Sequence, residues 1–360
     1  MTTGIKHLYI HVPFCKGICY YCDFARRVYD EKLADRWLDR LSKEIEDNCH
    51  DQYETIYIGG GTPSCLSLKQ SKRLLSLISP YASEVKEYTI EANPESIDSD
   101  KICLYKQYGI NRISLGVQSS NDELLRSLNR AHDFKCVIDK VELLKNSGLS
   151  NISIDLMYSL PGQDMEILKQ SLNDILKLDV PHLSLYSLTI EENSVFGKKG
   201  ISNLDEEIEA DMYELIDKVL RENGYIHYEV SNFAKKGFES KHNMGYWNYD
   251  DFLGLSVGAS GKIGNNRYSN TRDLNTYLNS DNIRSEDLYL NKKDMMFENI
   301  MMSLRTIYGL DIRKFEKKYD VDIRETYEKG LENSNIKIID NRLICDNLEV
   351  LNSVLLDFMD

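Results

Sequence analysis

The sequence predicts an α/β fold: a partial, TIM-like (β/α)6 barrel followed by a small helical, winged-helix-like C-terminal domain. Two observations carry this expectation. Strand-like and helix-like segments alternate through residues 6–223, the order that a right-handed parallel sheet requires. The chemically unusual residues also fall at or near the C-terminal ends of those strands, where a barrel gathers its functional loops. An open doubly wound sheet would concentrate them at one switch point.

KHLYIHV (6–12) reads as the first strand and EKLADRWLDRLSKEIED (31–47) as the first helix, with Leu33, Trp37, Leu41 and Ile45 forming one apolar face. YETIYIG (53–59) precedes a helix over 68–78, KEYTIEA (86–92) one over 99–108, and NRISLGV (111–117) helices over 121–128 and 133–147. NISIDLMY (151–158) leads to a helix over 164–178, and HLSLYSL (182–188) to one over 204–223. Residues 1–225 are therefore assigned to the barrel. The alternation then fades, and the aromatic, glycine-rich stretch 226–284 is expected to wrap the barrel's open end. Residues 285–360 form the C-terminal domain, with a helical pattern over 294–310 and a hairpin over 335–346 that turns on Asp-Asn.

A chain of 360 residues, 42% hydrophobic and 28% charged, can bury a substantial core. Its net charge of -14 repels phosphate backbones and disfavours nucleic acid as the main partner. No apolar run approaches the roughly 20 residues of a transmembrane segment, which leaves only peripheral membrane contact open. The start, MTTGIKHLYIHVPF, has neither an apolar signal core nor a cleavage site, so a cytoplasmic location is expected. In that compartment the eight cysteines do not form a disulfide framework. Five are scattered singly. The other three, Cys15, Cys19 and Cys22, share one loop.

Thiolates spaced C-x3-C-x2-C can converge on one metal centre, and Gly17 gives their loop backbone freedom. A structural zinc site wants four ligands, and the only nearby fourth is His11, whose ring is as readily used by a backbone carbonyl. A [4Fe–4S] cluster held by three cysteines leaves one iron open to a small chelating molecule. The plainer alternative is three buried thiols. Other residues on the same face also need partners. Glu91 and Asp155 are carboxylates flanked by apolar strand residues. Arg130 can grip a carboxylate with both arms of its guanidinium.

The cysteine spacing resembles the signature of the radical S-adenosylmethionine (SAM) superfamily. That resemblance implies a [4Fe–4S] cluster on Cys15, Cys19 and Cys22, with SAM chelating the open iron and being cleaved by an electron from the cluster. Gly59-Gly60-Gly61-Thr62-Pro63 resembles the superfamily's glycine-rich turn for the SAM ammonium. A closer resemblance is to the HemN/HemW (coproporphyrinogen III oxidase-like) group. It is carried by LYIHVPFC, CYYCDF, IGGGTP, TIEANPES, ISLGVQS, LNRAH, DLMYSLPGQ, HLSLYSLTIEENSVFG and YEVSNFA, in that order. It implies SAM contacts at Tyr9, Gly60, Gly61, Thr62, Glu91, Gln118, Arg130 and Asp155.

Within the group, the dehydrogenase branch has a fourth cysteine two places after the third, where this chain has Phe24. It also has an extension before its first strand. His242-Asn243-Met244-Gly245-Tyr246-Trp247 matches HNxxYW, the mark of the HemW branch of heme chaperones. The resemblance therefore implies a protein that binds heme and delivers it to respiratory hemoproteins, with homodimerisation by analogy. An oxygen-independent coproporphyrinogen III dehydrogenase and a structural zinc protein are the alternatives. His242 offers an imidazole to heme iron, and Tyr246 and Trp247 offer flat faces to a porphyrin. His11, Cys65 and His132 are weaker candidates. Two departures stand out: Ser260, where the branch often has His, and Asn129, where LNRAH more often begins with Gly.

Overall fold

Alternation with period two along the first long strands decides the architecture. The computed structural model describes residues 4–50 and 52–359. Strand β1 (His7–Val12) leads to a two-residue parallel ladder, β2 (Phe14–Cys15) with β3 (Arg27–Val28), which brackets the cysteine loop. Then come β4 (Thr55–Gly60), β5 (Glu87–Ala92), β6 (Arg112–Gln118), β7 (Ile152–Tyr158) and β8 (His182–Ser187). The six long strands lie parallel in the order β1-β4-β5-β6-β7-β8. One face of each is apolar and fully buried, as in Leu8, Ile10, Ile56, Ile58, Ile113, Leu115, Ile152, Ile154 and Leu183. The other face carries His7, Tyr9, Thr55, Tyr57, Glu87, Glu91, Arg112, Asp155 and His182.

The apolar face is covered by helices: α1 (Glu31–Asn48), α2 (Leu68–Ile78), α3 (Ser99–Gln107), α4 (Asp122–Ser127), α5 (Phe134–Asn146) and α6 (Met165–Lys177). Each begins on a side chain that accepts a backbone N–H of its own first turn, from Asp30, Ser67, Asp98, Asn121, Asp133 and Asp164 respectively. Caps of this kind contribute about 1 kcal/mol each. Helix α1 buries Trp37, Leu41 and Ile45 as the every-fourth-residue spacing predicts, together with Glu44. The Glu44 carboxylate is satisfied by Tyr277 Oη (2.6 Å) and the Ser256 amide (3.0 Å).

After α7 (Val195–Lys198) and α8 (Glu206–Glu222), the stretch 226–284 extends the sheet at both edges. It supplies β9 (Ile226–Glu229) and β10 (Asn232–Ala234) at one edge of the sheet. At the other edge it supplies β11 (Phe252–Leu255), β12 (Ser260–Ile263) and β13 (Asn266–Asn270), followed by β14 (Arg284–Tyr289). The result is one twelve-stranded sheet, β14-β13-β12-β11-β1-β4-β5-β6-β7-β8-β10-β9, in which β11 runs parallel to β1. Helix α9 (Lys241–Trp247), which carries HNxxYW, packs under the N-terminal ends of the strands, opposite the predicted open end. The reason is electrostatic. The buried Glu87 carboxylate, at the start of β5, accepts from Ser240 Oγ (3.2 Å) and from the amides of Lys241 and His242 (both 3.0 Å). A buried anion there complements the positive end of the helix.

Beyond α10 (Leu274–Asn279), helices α11 (Lys292–Ser303) and α12 (Ile312–Tyr319) pack with β15 (Leu310–Asp311), β16 (Ile336–Ile339) and β17 (Arg342–Cys345) around their own core, which includes Ile300, Leu304, Phe315, Leu343 and Phe358. The hairpin turns at Asp340 and Asn341, both left-handed (φ 49° and 64°). That geometry is a type I′ turn, for which Asp-Asn is suited.

Glu87→Ala should therefore destabilise the protein by about 3–5 kcal/mol, because Arg112, equally buried and partly held charged by Glu87, loses its compensation along with the helix cap. Chemical denaturation of the variant beside the parent measures it.

Candidate functional site

The cysteine loop is held from several sides. Arg27 N donates to Pro13 O (2.7 Å) and Tyr29 N to Cys15 O (2.8 Å). Tyr20 N donates to Leu128 O (3.1 Å), and Asn129 Nδ2 to Ile18 O (2.8 Å). Asn129 sits at φ 60°, a left-handed conformation in which glycine is favoured and asparagine is the best substitute. The departure from glycine thus has a structural reason: it adds a bond to the loop.

The loop forms one wall of a cavity of about 480 Å3 at the C-terminal ends of the parallel strands. Cys15, Cys19, Cys22, Gly60, Gly61, Thr62, Glu91, Gln118, Arg130 and Asp155 all line it. These ten positions come from the cysteine loop, the glycine turn after β4, the loop between α4 and α5, and strands β5, β6 and β7, so a curved sheet is what brings them together. Gly60 has φ 112°, and a Cβ there would sit 2.7 Å from the His11 ring. A Cβ on Gly61 would meet Phe14 O at 2.7 Å and Cys15 Sγ at 3.0 Å. The turn is therefore bare backbone pressed against the cysteine loop.

Two carboxylates face the cavity. Glu91 accepts from Tyr57 Oη (2.8 Å) and from Gly60 N (3.0 Å). Burial, reinforced by the charge of Asp155, raises its pKa to about 7 against those hydrogen bonds. Asp155 accepts from Ser114 Oγ at 3.0 and 3.1 Å, and burial raises its pKa to about 6. Each has spare lone pairs for hydroxyl donors. Arg130 donates to Cys19 Sγ (3.3 Å), Asn93 Oδ1 (2.9 Å) and Gly116 O (2.5 Å). Burial opposes its charge, but Tyr21 and Cys19 more than offset that and hold it protonated.

Tyr9 lies deeper. Its hydroxyl meets His11 Nδ1 (3.0 Å) and its ring lies 6.1 Å from that of Tyr57, so it stands inside the barrel behind the cavity lining. Sequence reasoning missed Tyr57, Asn93, Ser114 and Tyr186, which also line the cavity. For Tyr57, Ser114 and Tyr186 the signal was present: each occupies the polar phase of a strand's period-two alternation.

His242 lies inside the barrel, away from the cysteine loop. Its ring is buried, Nδ1 bonds Thr55 Oγ1 and Nε2 bonds Tyr246 Oη, both at 2.7 Å. Burial, with His7 and Arg112 adding to it, keeps its pKa well below the usual value. Both ring nitrogens are thus hydrogen-bonded within the barrel. Tyr246 is tied to His242 and packs edge-on against Phe252 (4.5 Å), so its ring is not a free face. Trp247 is half-buried, with its indole N–H unpartnered. The weaker candidates are also hydrogen-bonded or buried. His11 bonds Tyr9 and Ala25 O, His132 bonds Glu95 and Val117 O, and the Cys65 thiol is buried and pushed up to about 12. Ser260 is exposed and bonds Ser269 (3.0 Å).

The donor set fits an iron–sulfur cluster. Among the described residues no three His, Cys, Asp or Glu side chains converge on a point that holds a single ion. Instead three free thiols spread along one cavity wall, an arrangement for one thiolate per iron in a polynuclear cluster. Thr62 Oγ1 (3.5 Å from Cys15 Sγ) and Arg130 donate toward sulfur, and hydrogen bonds to cluster sulfurs tune a cluster's potential. Bare turn, carboxylates and arginine then offer acceptors and a cation to an amino acid and a ribose. When bound, the cluster supplies one-electron chemistry to SAM.

Comparison with known proteins agrees. The radical SAM superfamily matches residues 9–175, and the HemN C-terminal domain matches residues 290–346. A Lactococcus lactis protein named heme chaperone HemW is 41% identical over 342 residues, 92% of this chain and 90% of that protein. The heme chaperone HemW of Bacillus subtilis is 37% identical over 350 residues, 91% and 92% of the two chains. The solved structure of Escherichia coli coproporphyrinogen III oxidase (HemN), described as a radical SAM enzyme, matches with a TM-score of 0.85 at 22% identity, over 98% of this chain and 90% of that one. It shares the fold.

Two outcomes are expected of this site. Cys19→Ser should abolish an intact reconstituted cluster, since an alcohol oxygen is a poor soft ligand; iron content and the broad visible absorbance measure it. The ligand-free protein should lose stability as pH rises from about 4.5 to about 7. Across that window the folded state keeps the Glu91 proton that the unfolded chain has released. Glu91→Gln should flatten that slope in thermal melts taken from pH 5 to 8.

Proposed function

The chain belongs to the HemW family of radical SAM proteins, and from that premise we propose that it binds heme and passes it to an acceptor hemoprotein such as a respiratory enzyme. A [4Fe–4S] cluster on Cys15, Cys19 and Cys22 and SAM in the adjoining cavity are its resident cofactors. The observation that carries the reading is identity of 41% along nearly the whole chain to a protein named heme chaperone. A feature of the site supports it. Phe24, two places after the third cysteine, lines the cavity and is 66% exposed, an apolar lip where the dehydrogenase pattern has a thiol.

Glu91 and Asp155 are suited to ribose hydroxyls, Arg130 to the SAM carboxylate, and the backbone around Gly60 to its ammonium. No helix among the described residues is long and apolar enough to cross a membrane, so any delivery to a membrane enzyme proceeds by surface contact. Homodimerisation is part of the proposal and is measured by sedimentation with and without the cluster.

The test is heme transfer. Reconstituted anaerobically, the protein should bind hemin near one equivalent and restore absorbance and activity to an apo-hemoprotein of the respiratory chain. It should not consume coproporphyrinogen III in the presence of SAM and a reductant. Sustained coproporphyrinogen turnover, or no hemin binding at all, overturns the chaperone reading.

A further inference from the structure

Two hydrogen-bond donors are aimed at the cysteine sulfurs, Thr62 Oγ1 at Cys15 (3.5 Å) and Arg130 at Cys19 (3.3 Å). One side chain joins them. Asn93, in the turn after β5, accepts at Oδ1 from Arg130 (2.9 Å) and donates from Nδ2 to Thr62 Oγ1 (3.4 Å). The Thr62 hydroxyl thus accepts from the amide and spends its own proton on Cys15. An aspartate could not serve both neighbours, because an ionised carboxylate only accepts, whereas an amide has one end of each kind.

The amide is itself held in place. Nδ2 also faces Glu95 Oε1 (3.2 Å), and the other oxygen of that carboxylate lies 3.3 Å from His132 Nδ1. The His132 side chain has no exposure, and its Nε2 donates to Val117 O (3.2 Å). Arginine on one side only donates and carboxylate on the other only accepts, so the amide cannot turn over without losing both bonds. Its backbone is fixed as well. Asn93 N donates to Ser64 Oγ (3.1 Å), and the buried Lys101 ammonium donates to Ser64 O (2.5 Å) and Ser96 O (2.8 Å). Gly116 leaves the space for this contact: a Cβ there would sit 3.1 Å from Asn93 Oδ1 and 3.3 Å from the Arg130 guanidinium.

We propose that Asn93, held by Glu95 and His132, is a positioning residue that keeps Thr62 and Arg130 donating to the sulfurs of Cys15 and Cys19, and so raises the reduction potential of the cluster. The inference rests on the [4Fe–4S] reading of the three cysteines and adds what sets that cluster's potential. Reduction adds an electron, and with it negative charge, to the cluster. Hydrogen bonds to its sulfurs therefore stabilise the reduced form more than the oxidised one. Donors joined in a chain polarise one another, so losing the amide weakens both contacts at once.

The test is a potentiometric titration of the full-length, anaerobically reconstituted protein without SAM, followed in the visible absorbance and EPR signal of the cluster. Asn93→Leu should shift the midpoint to a more negative potential, and Asn93→Ala, made beside it, should do the same. His132→Leu should shift it in the same direction by less. In a Thr62→Val, Arg130→Gln background, adding Asn93→Leu should move the midpoint no further, a result that general loosening of the site would not give. Iron content equal to the parent's shows that each variant has taken up its cluster. A parent-like midpoint in both Asn93 variants overturns the proposal, as does a full Asn93→Leu shift in the doubly substituted background. A parent-like midpoint for His132→Leu overturns the part given to His132. If the parent takes up no cluster, it is the [4Fe–4S] reading that has failed, and the two failures stay distinct.

Discussion

The interior of this barrel is polar, and a polar interior is stable only if each buried group finds a partner. Thr55 shows how closely the bonds are shared. Its one hydroxyl sits 2.7 Å from the Nδ1 atoms of both His7 and His242. His7 leads outward to Asp250, and His242 leads inward to Tyr246. At the same level Glu87 caps α9, and Tyr228 Oη joins His182 to the Ser240 amide. Helix α9 is therefore part of the inside of the barrel rather than a cover on it.

That arrangement separates two kinds of chemistry along the barrel axis. Near the beginnings of the strands, the polar groups satisfy one another, and the pKa of His242 falls with burial. Near their ends, Glu91, Asp155 and Arg130 keep unused capacity around a cavity, and the two carboxylates titrate unusually high. Active sites are where burial and like charges shift pKa values in a cleft. Tyr57 links the two levels: its hydroxyl donates to Glu91, while its ring lies 5.2 Å from that of His242. The HNxxYW helix thus bears on the cavity beside the cysteines through packing, without touching it.

Much of the barrel was legible in the chain. Period-two strands and amphipathic helices alternate in it, and the cap residues stand at the helix starts. The candidate site residues could be placed on one face because strand ends define that face whatever the details of packing. The late strands β9–β14 were not legible. They are short, polar and glycine-bearing, and they exist because the sheet offers them open edges to pair with. Asn129 looked like an anomaly until its backbone conformation gave it a reason.

The sequence by itself determined the three thiols in one loop, the bare glycine turn, and the carboxylates and arginine that accompany them. These are local facts of spacing and strand phase, and they survive without knowledge of any long-range contact. Only the tertiary structure decided what His242 does. An imidazole reads the same in a sequence whether its nitrogens are free or bonded, and here Thr55 and Tyr246, 187 and 4 residues away, take both. Hydrogen-bond satisfaction is a three-dimensional quantity, and it separates a ligand from a structural residue of the same type.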